Sequence, residues 1–301
     1  MTVPADLLGV VLALLAAVMI ASTGLLVRLG TNEGRAFDAV VVVLLVNLVI
    51  LLPTTALLHY PNFGISPYAV TMFMLAGLVG TMLGRSLYFV SVSKIGASRS
   101  DAIKASQPLH ATFVAILVLG ETLTVEHLIG IVAITVGVGV VSLDLKSDKS
   151  GEVPMQRFLA YLVFPLGAAF FYGIEPTFAK LGFAEGTPLL VGLTIKTIVA
   201  FTAIVVVLYR RGELPTRTDF TRKNVYWYLA AGVTNTTFLG LYYGALEVAP
   251  VNIVIPLMQT SPFFVVLISY LALPKLERVT WRLVGGTIAV ITGAVVIVAF
   301  V

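Results

Sequence analysis

"GETLTVEHLIG", residues 120–130, and "KLERVTWRLVGG", residues 275–286, read as one corner written twice. Glu121, Thr124, Gly130 and Gly137 recur as Glu277, Thr280, Gly286 and Gly293 at a spacing of 156. Upstream, Tyr88 and Pro108 recur as Tyr242 and Pro262 at a spacing of 154, so the second copy carries a two-residue insertion. "VRLG" at 27–30 is echoed by "AKLG" at 179–182. Between the copies lies "LDLKSDKSGEVP", residues 143–154, polar and charged, with Gly and Pro. A repeat at so long a period predicts a duplicated architecture. The expected organisation is a first repeat at 1–145, a linker at 146–155 and a second repeat at 156–301.

Composition says what surrounds the repeats. Of 301 residues, 58% are hydrophobic and only 11% charged, and the mean hydropathy is +1.02. A soluble domain of this length needs far more charge to cover its surface. The chain therefore reads as a membrane protein, multi-pass and in the cell membrane. The net charge of +4 is explained by basic residues in short loops that orient membrane spans, so no nucleic-acid partner is expected. Cysteine is absent, which excludes disulfides and thiolate metal sites.

Apolar runs predict ten helices, at 5–29, 37–58, 68–92, 98–118, 125–143, 156–181, 187–209, 224–247, 252–273 and 280–300. The fold class is an all-α membrane protein of two five-helix repeats. Five is odd, so the second repeat enters the membrane from the opposite side and the topology is inverted. That architecture places substrate near the midplane between halves. Basic residues cluster after odd-numbered spans, including Arg28, Arg35, Lys94, Arg99, Lys146, Lys149, Arg157, the 210–223 stretch, Lys275, Arg278 and Arg282. By the positive-inside rule both termini lie outside.

A Tyr-containing third span, then "Ala-Ser-Gln-Pro-Leu" at 105–109 and "Leu-Gly-Glu-Thr-Leu-Thr" at 119–124 before a Gly-rich fifth span, resemble the drug/metabolite transporter superfamily, EamA branch. The second copy departs from this pattern, with Pro274 in place of Gly120 and Lys275 and Leu276 inserted before Glu277. The resemblance covers both halves. It implies ten helices, movement of small metabolites such as amino acids or drugs, and termini inside, opposite to the charge rule.

Ionisable residues inside a membrane are expensive and mark functional positions. Lys196 lies near the middle of span seven, with Glu175 of span six as its natural partner. Asp101 and Lys104, three residues apart, share a helix face and can pair. Arg85, Tyr88, Gln107, His110, Asn235, Tyr242, Tyr243 and Gln259 complete the candidate substrate-binding set. Asp101 and Glu175 are the coupling candidates, because burial favours a protonatable carboxyl. Pro108, Pro176, Pro256 and Pro262 are expected to break helices and free backbone carbonyls. Asp101, Lys104 and His110 become Ile255, Met258 and Phe264 in the second half, an asymmetry that suits an amphipathic substrate such as an amino acid. The glycine pairs 80/84 and 240/244 are spaced for close helix contact.

No HExxH, GxSxG or P-loop pattern occurs, and three scattered histidines give no metal spacing. The expectation is a secondary transporter, not an enzyme, with neither cofactor nor metal. Alternating access moves the solute through a cavity built mainly from spans three, four, six, seven, eight and nine. The alternative is an uncoupled facilitator or channel. Expected partners are a small-molecule substrate, the lipid bilayer, a proton or other coupling ion, and a second copy in a homodimer. Spans five and ten, Gly-rich and nearly charge-free, are expected to serve packing or dimer contacts.

Overall fold

The computed structural model describes residues 5–31, 36–95, 97–144, 155–216, 220–272 and 281–300. The linker at 146–154 and the second corner with Glu277 and Thr280 lie outside these, as do Arg35, Lys146, Lys149, Lys275 and Arg278. Every described element is a helix. Six helical stretches are long and apolar enough to cross a membrane: Leu7–Thr31, Asp38–His59, Pro67–Val92, Ser100–Leu119, Arg157–Phe183 and Leu189–Arg211. Val125–Val140, Val251–Val265 and Val284–Ala299 are shorter apolar helices.

In chain order the helices are α1 (Ala5–Thr31), α2 (Ala36–His59), α3 (Pro67–Ala76), a π-helical stretch (Gly77–Gly84), α4 (Arg85–Ile95), α5 (Ala97–Lys104), α6 (Gln107–Leu119) and α7 (Val125–Asp144). Then come α8 (Met155–Tyr161), α9 (Val163–Phe183), α10 (Leu189–Arg211), α11 (Arg222–Val248), α12 (Val251–Met258), α13 (Ser261–Ala272) and α14 (Trp281–Ala299). Helix α11 is long enough to span a bilayer but is less apolar, because it carries Asn235, three threonines and four tyrosines.

The two sequence halves interlock. Helix α1 packs along α11, α2 along α10 and α11, α6 against α9, and α7 against α14. Between apolar helices lipid offers no hydrophobic gain, so close approach and polar contacts carry the association. Thr23 meets Thr234 across α1 and α11 at 2.9 Å, and Thr55 meets Thr194 across α2 and α10 at 2.7 Å. The glycines of the repeat supply the close approach between α7 and α14. Gly130 faces the Gly293 carbonyl and Gly137 faces the Gly286 carbonyl, so the two helices run antiparallel with backbones in contact. Spans five and ten thus spend their glycine faces on each other. The 240/244 pair does not act this way: nothing lies within 4 Å of a Cβ placed at Gly240.

Two helix breaks frame the site. The expected spans at 98–118 and 252–273 each divide, at Ala105–Ser106 and at Gln259–Thr260. Pro108 and Pro262 follow these turns at the second position of α6 and α13, where a missing N–H costs nothing. Pro176 and Pro256 do not break helices, contrary to expectation: α9 and α12 run through them. In α9 the acceptor freed by Pro176 is the Tyr172 carbonyl, and it receives the Gln107 amide at 3.4 Å. Tertiary packing keeps the helix intact and the side chain of a neighbouring helix satisfies the orphan carbonyl.

One end of the bundle is closed by polar contacts. Gly120, at φ 68°, ends α6 in the left-handed conformation that glycine adopts without strain. The chain then turns so that Glu121 meets the first turn of α12, accepting from the Val251 and Asn252 amides at 2.7 and 3.0 Å. A carboxylate is favoured there by the unpaired N–H groups of a helix start. Lys180 donates to the Ala249 carbonyl at 2.8 Å, and Ser66 donates to Glu185 at 2.9 Å. This is what the "Gly-Glu-Thr" corner does in the first repeat: it ties α6 and α7 of one half to α12 of the other.

Candidate functional site

Glu175 sits on the face of α9 that also buries Ala168, Ala169, Pro176 and Ala179, small residues that admit a neighbouring helix. Lys196 sits on the buried face of α10 with Ala200 and Ile204. Their side chains meet at 2.7 Å. Relative exposures of 6% and 5% make this a buried ion pair, so its stability depends on further hydrogen bonds. Those are present. Tyr243 donates to Glu175 Oε1 at 2.6 Å and Tyr242 to Oε2 at 3.1 Å, so one carboxylate takes three donors. The Lys196 ammonium also lies 4.6 Å from the centre of the Tyr243 ring, a cation–π distance.

The π-helical stretch forms the seat for this cluster. A Cβ at Gly80 would lie 2.5 Å from Glu175 Cγ, and one at Gly77 would lie 2.6 Å from the Lys196 carbonyl oxygen. Gly84 lies against the Tyr172 ring. The 80/84 pair is therefore a close-contact face, as its spacing predicts. Gly80→Ala is expected to push the Glu175 side chain out of its three-donor position and to cost about 1–3 kcal/mol of overpacking. Gly240→Ala, with open space around it, is expected to be neutral or slightly stabilising. Thermal unfolding of the two variants side by side checks this, and equal melting temperatures would refute it.

Above the pair opens a cavity of about 210 Å³. Of the residues singled out from sequence, Glu175, Lys196, Tyr242, Asn235, Gln259, Gln107, Lys104 and Arg85 line it. The structure brings these together from α4, α5, α6, α9, α10, α11 and the turn after α12. Glu175, Lys196 and Tyr242 lie at its buried floor, while Arg85 and Lys104 are part-exposed and lie towards the end opposite the closed one. Lys104 and Asp101 pair loosely at 3.8 Å, with side-chain exposures of 29% and 33%. Lys104 lies 4.9 Å from the Tyr88 ring and 5.9 Å from that of Tyr172.

Four of the candidates do not line the cavity. Tyr88 stands behind Asp101, to which it donates at 2.7 Å. Tyr243 is fully buried behind Glu175, packed edge-on to Phe183. His110 turns away because the inward face of α6 is Gln107, Pro108, Ala111, Thr112 and Ala115, and its ring packs edge-on to Phe170. Asp101 lies beside the cavity lining, not in it.

Other lining residues were not anticipated. Asn47 of α2, fully buried, pairs with the Asn235 amide at 2.9 Å and lies 2.9 Å from Thr236 Oγ1. Tyr172 and Thr197 complete the polar wall, and Ile20, Leu44, Phe238, Leu239 and Met258 the apolar one. Helices α1 and α2 thus contribute, which the six-span expectation left out. Asn47 stands alone in the apolar run "VVVVLLVNLVILL", residues 40–52. The rule that singled out Lys196, a polar group deep in a span, also picks it out.

The sequence matches the model of the EamA-like transporter family over residues 7–143 and again over 159–299. A protein of known crystal structure superposes with a TM-score of 0.77, covering 98% of this chain and 96% of its own, at 17% identity. At that identity the likeness concerns the fold alone. No curated protein matches the sequence.

Proposed function

The chain belongs to the EamA-like transporter family, and from that premise we propose that it is a secondary transporter of the cell membrane, moving a small metabolite by alternating access. In this reading ten spans form two inverted five-helix halves, and the solute binds between them in the cavity above Glu175 and Lys196. The observation that carries the reading is the buried pair at the floor of a cavity closed at one end. A charged pair deep in an apolar bundle is costly unless it serves a pathway. Its position fits a coupling element, since a proton on Glu175 would release Lys196 and loosen α9 from α10. Asp101, near the part-exposed mouth, is the second coupling candidate. The panel to test spans small metabolites of each charge type, with amino acids and amphipathic compounds among them. The volume is below the roughly 300–1,000 Å³ of drug-sized pockets, which favours a small solute.

The test is flux in proteoliposomes under an imposed proton gradient, with a labelled metabolite panel. Accumulation above equilibrium is expected for the coupled transporter, and Glu175→Gln is expected to retain binding while losing pH-driven accumulation. Full pH-driven flux in that variant would remove Glu175 from coupling. Equilibration without accumulation would establish a facilitator instead.

A further inference from the structure

The transport reading leaves the charge of the solute open, and the cavity's own charges speak to it. Resting on that reading, we propose that the solute is a small organic anion whose carboxylate or phosphate group is received by Arg85.

Among the described residues, four charged side chains line the cavity: Arg85, Lys104, Glu175 and Lys196. Glu175 and Lys196 neutralise each other at 2.7 Å. Lys104 has Asp101 at 3.8 Å. Among the described residues, the Arg85 guanidinium has no hydrogen-bond or ion-pair partner. A guanidinium does not shed its proton, so the cavity keeps one uncompensated positive charge. Placing a cation within a membrane-spanning helix without a counterion is unfavourable. The partner that completes it comes from outside the chain. The planar fork of N–H donors matches an oxyanion, which it binds with two parallel hydrogen bonds.

The position is prepared. Arg85 is the first residue after the π-helical stretch, a local geometry frequent at functional sites. The rest of the wall says the anion is organic. Ile20, Leu44, Phe238, Leu239 and Met258 offer an apolar surface, with Phe238 stacked on Tyr242 at 5.6 Å. An inorganic ion gains nothing from that surface. A zwitterion fits poorly for a different reason. Its ammonium requires a carboxylate, and Glu175 already takes three donors. Asp101 is engaged by Tyr88 and Lys104.

Four compounds with one ring and different head groups separate the cases: phenylacetate, phenyl phosphate, phenylalanine and phenylacetamide. Each is added at equal ionic strength to the purified full-length protein, and thermal unfolding is followed. A ligand that binds only the folded protein stabilises it by RT ln(1 + L/Kd), where L is its free concentration, so at equal concentration the tighter ligand raises the melting temperature more. Phenylacetate or phenyl phosphate is expected to stabilise the wild type, and the stronger of the two identifies the head group. Phenylalanine and phenylacetamide are expected to stabilise far less. Arg85→Gln is expected to weaken the anion by about tenfold to hundredfold. Arg85→Lys, which keeps the charge, should retain part of the effect and guards against a folding defect. The proposal is overturned if no anion stabilises, if the amide or zwitterion does as well, or if the anion effect survives Arg85→Gln. Flux of the same four compounds separates this from the transport reading. Anion binding without any flux would keep Arg85 and overturn transport. Phenylalanine flux lost in Glu175→Gln but unchanged in Arg85→Gln would keep transport and overturn the anion.

Discussion

Lys196→Met is expected to lower stability by about 3–5 kcal/mol, because it strands a carboxylate in a site built for an ion pair. Glu175 would keep its two tyrosine donors but lose its counterion. Glu175→Gln strands the ammonium instead, with the Tyr243 ring as its remaining contact. The double variant, Glu175→Gln with Lys196→Met, removes both charges. It should therefore recover much of what either single change loses in thermal unfolding. Flux should not recover, since the pair itself is the proposed moving part. A double-mutant cycle makes the comparison, as contacting groups show strongly non-additive effects. Additive losses would mean that the 2.7 Å contact carries no energy and that the pair is not a unit. Full flux in the double variant would remove the pair from transport.

Gly137→Val is expected to have an effect of similar size by a different route. A Cβ there would lie 2.7 Å from the Gly286 carbonyl oxygen and 2.8 Å from the Val290 amide nitrogen. Both are backbone atoms of a helix, so no flexible side chain can yield. Helices α7 and α14 would have to separate along the whole contact that Gly130 and Gly293 also share. Overpacking costs about 1–3 kcal/mol where side chains can adjust, and more where they cannot. Gly24→Ala is the control, because nothing lies within 4 Å of its Cβ. Melting temperature and elution profile of the purified variants decide it. A Gly137→Val protein as stable as the control would show that the helices are not held by this contact.

The repeat was legible because its contacts demand particular residues. Backbone contact between α7 and α14 requires glycine, and a helix restart tolerates proline, so both left marks at matching positions. The ion pair was legible because a bilayer makes charge conspicuous. The proline expectation failed at Pro176 and Pro256 because local bias is weaker than packing: with the Tyr172 carbonyl served by Gln107, α9 has no reason to bend. Nothing in sequence marks Tyr172, which stands in an aromatic stretch of the kind that commonly sits at the interface. Tyr88 and Tyr243 are polar-tipped residues that need partners in an apolar bundle, but spacing cannot say whether the partner is a solute or, as here, a carboxylate of another helix. The closed end was invisible too, since Glu121 acts on backbone amides 130 and 131 residues away. The π-helical stretch has no proline or other mark. It is legible only beside Glu175, Lys196 and Tyr172, which its glycines face.

That stretch also fixes how the rest of its span is phased. A π-helix closes i→i+5 hydrogen bonds where an α-helix closes i→i+4, so each turn holds about one residue more. Gly77–Gly84 therefore stores a register offset between α3 and α4. An α-helix extended from Pro67 would present Arg85 on a different face from the one observed. Arg85, Tyr88 and Lys94 share that phase. Deleting one residue from the glycine stretch would rotate all three together, and the guanidinium would leave the cavity with no change to its own sequence neighbours.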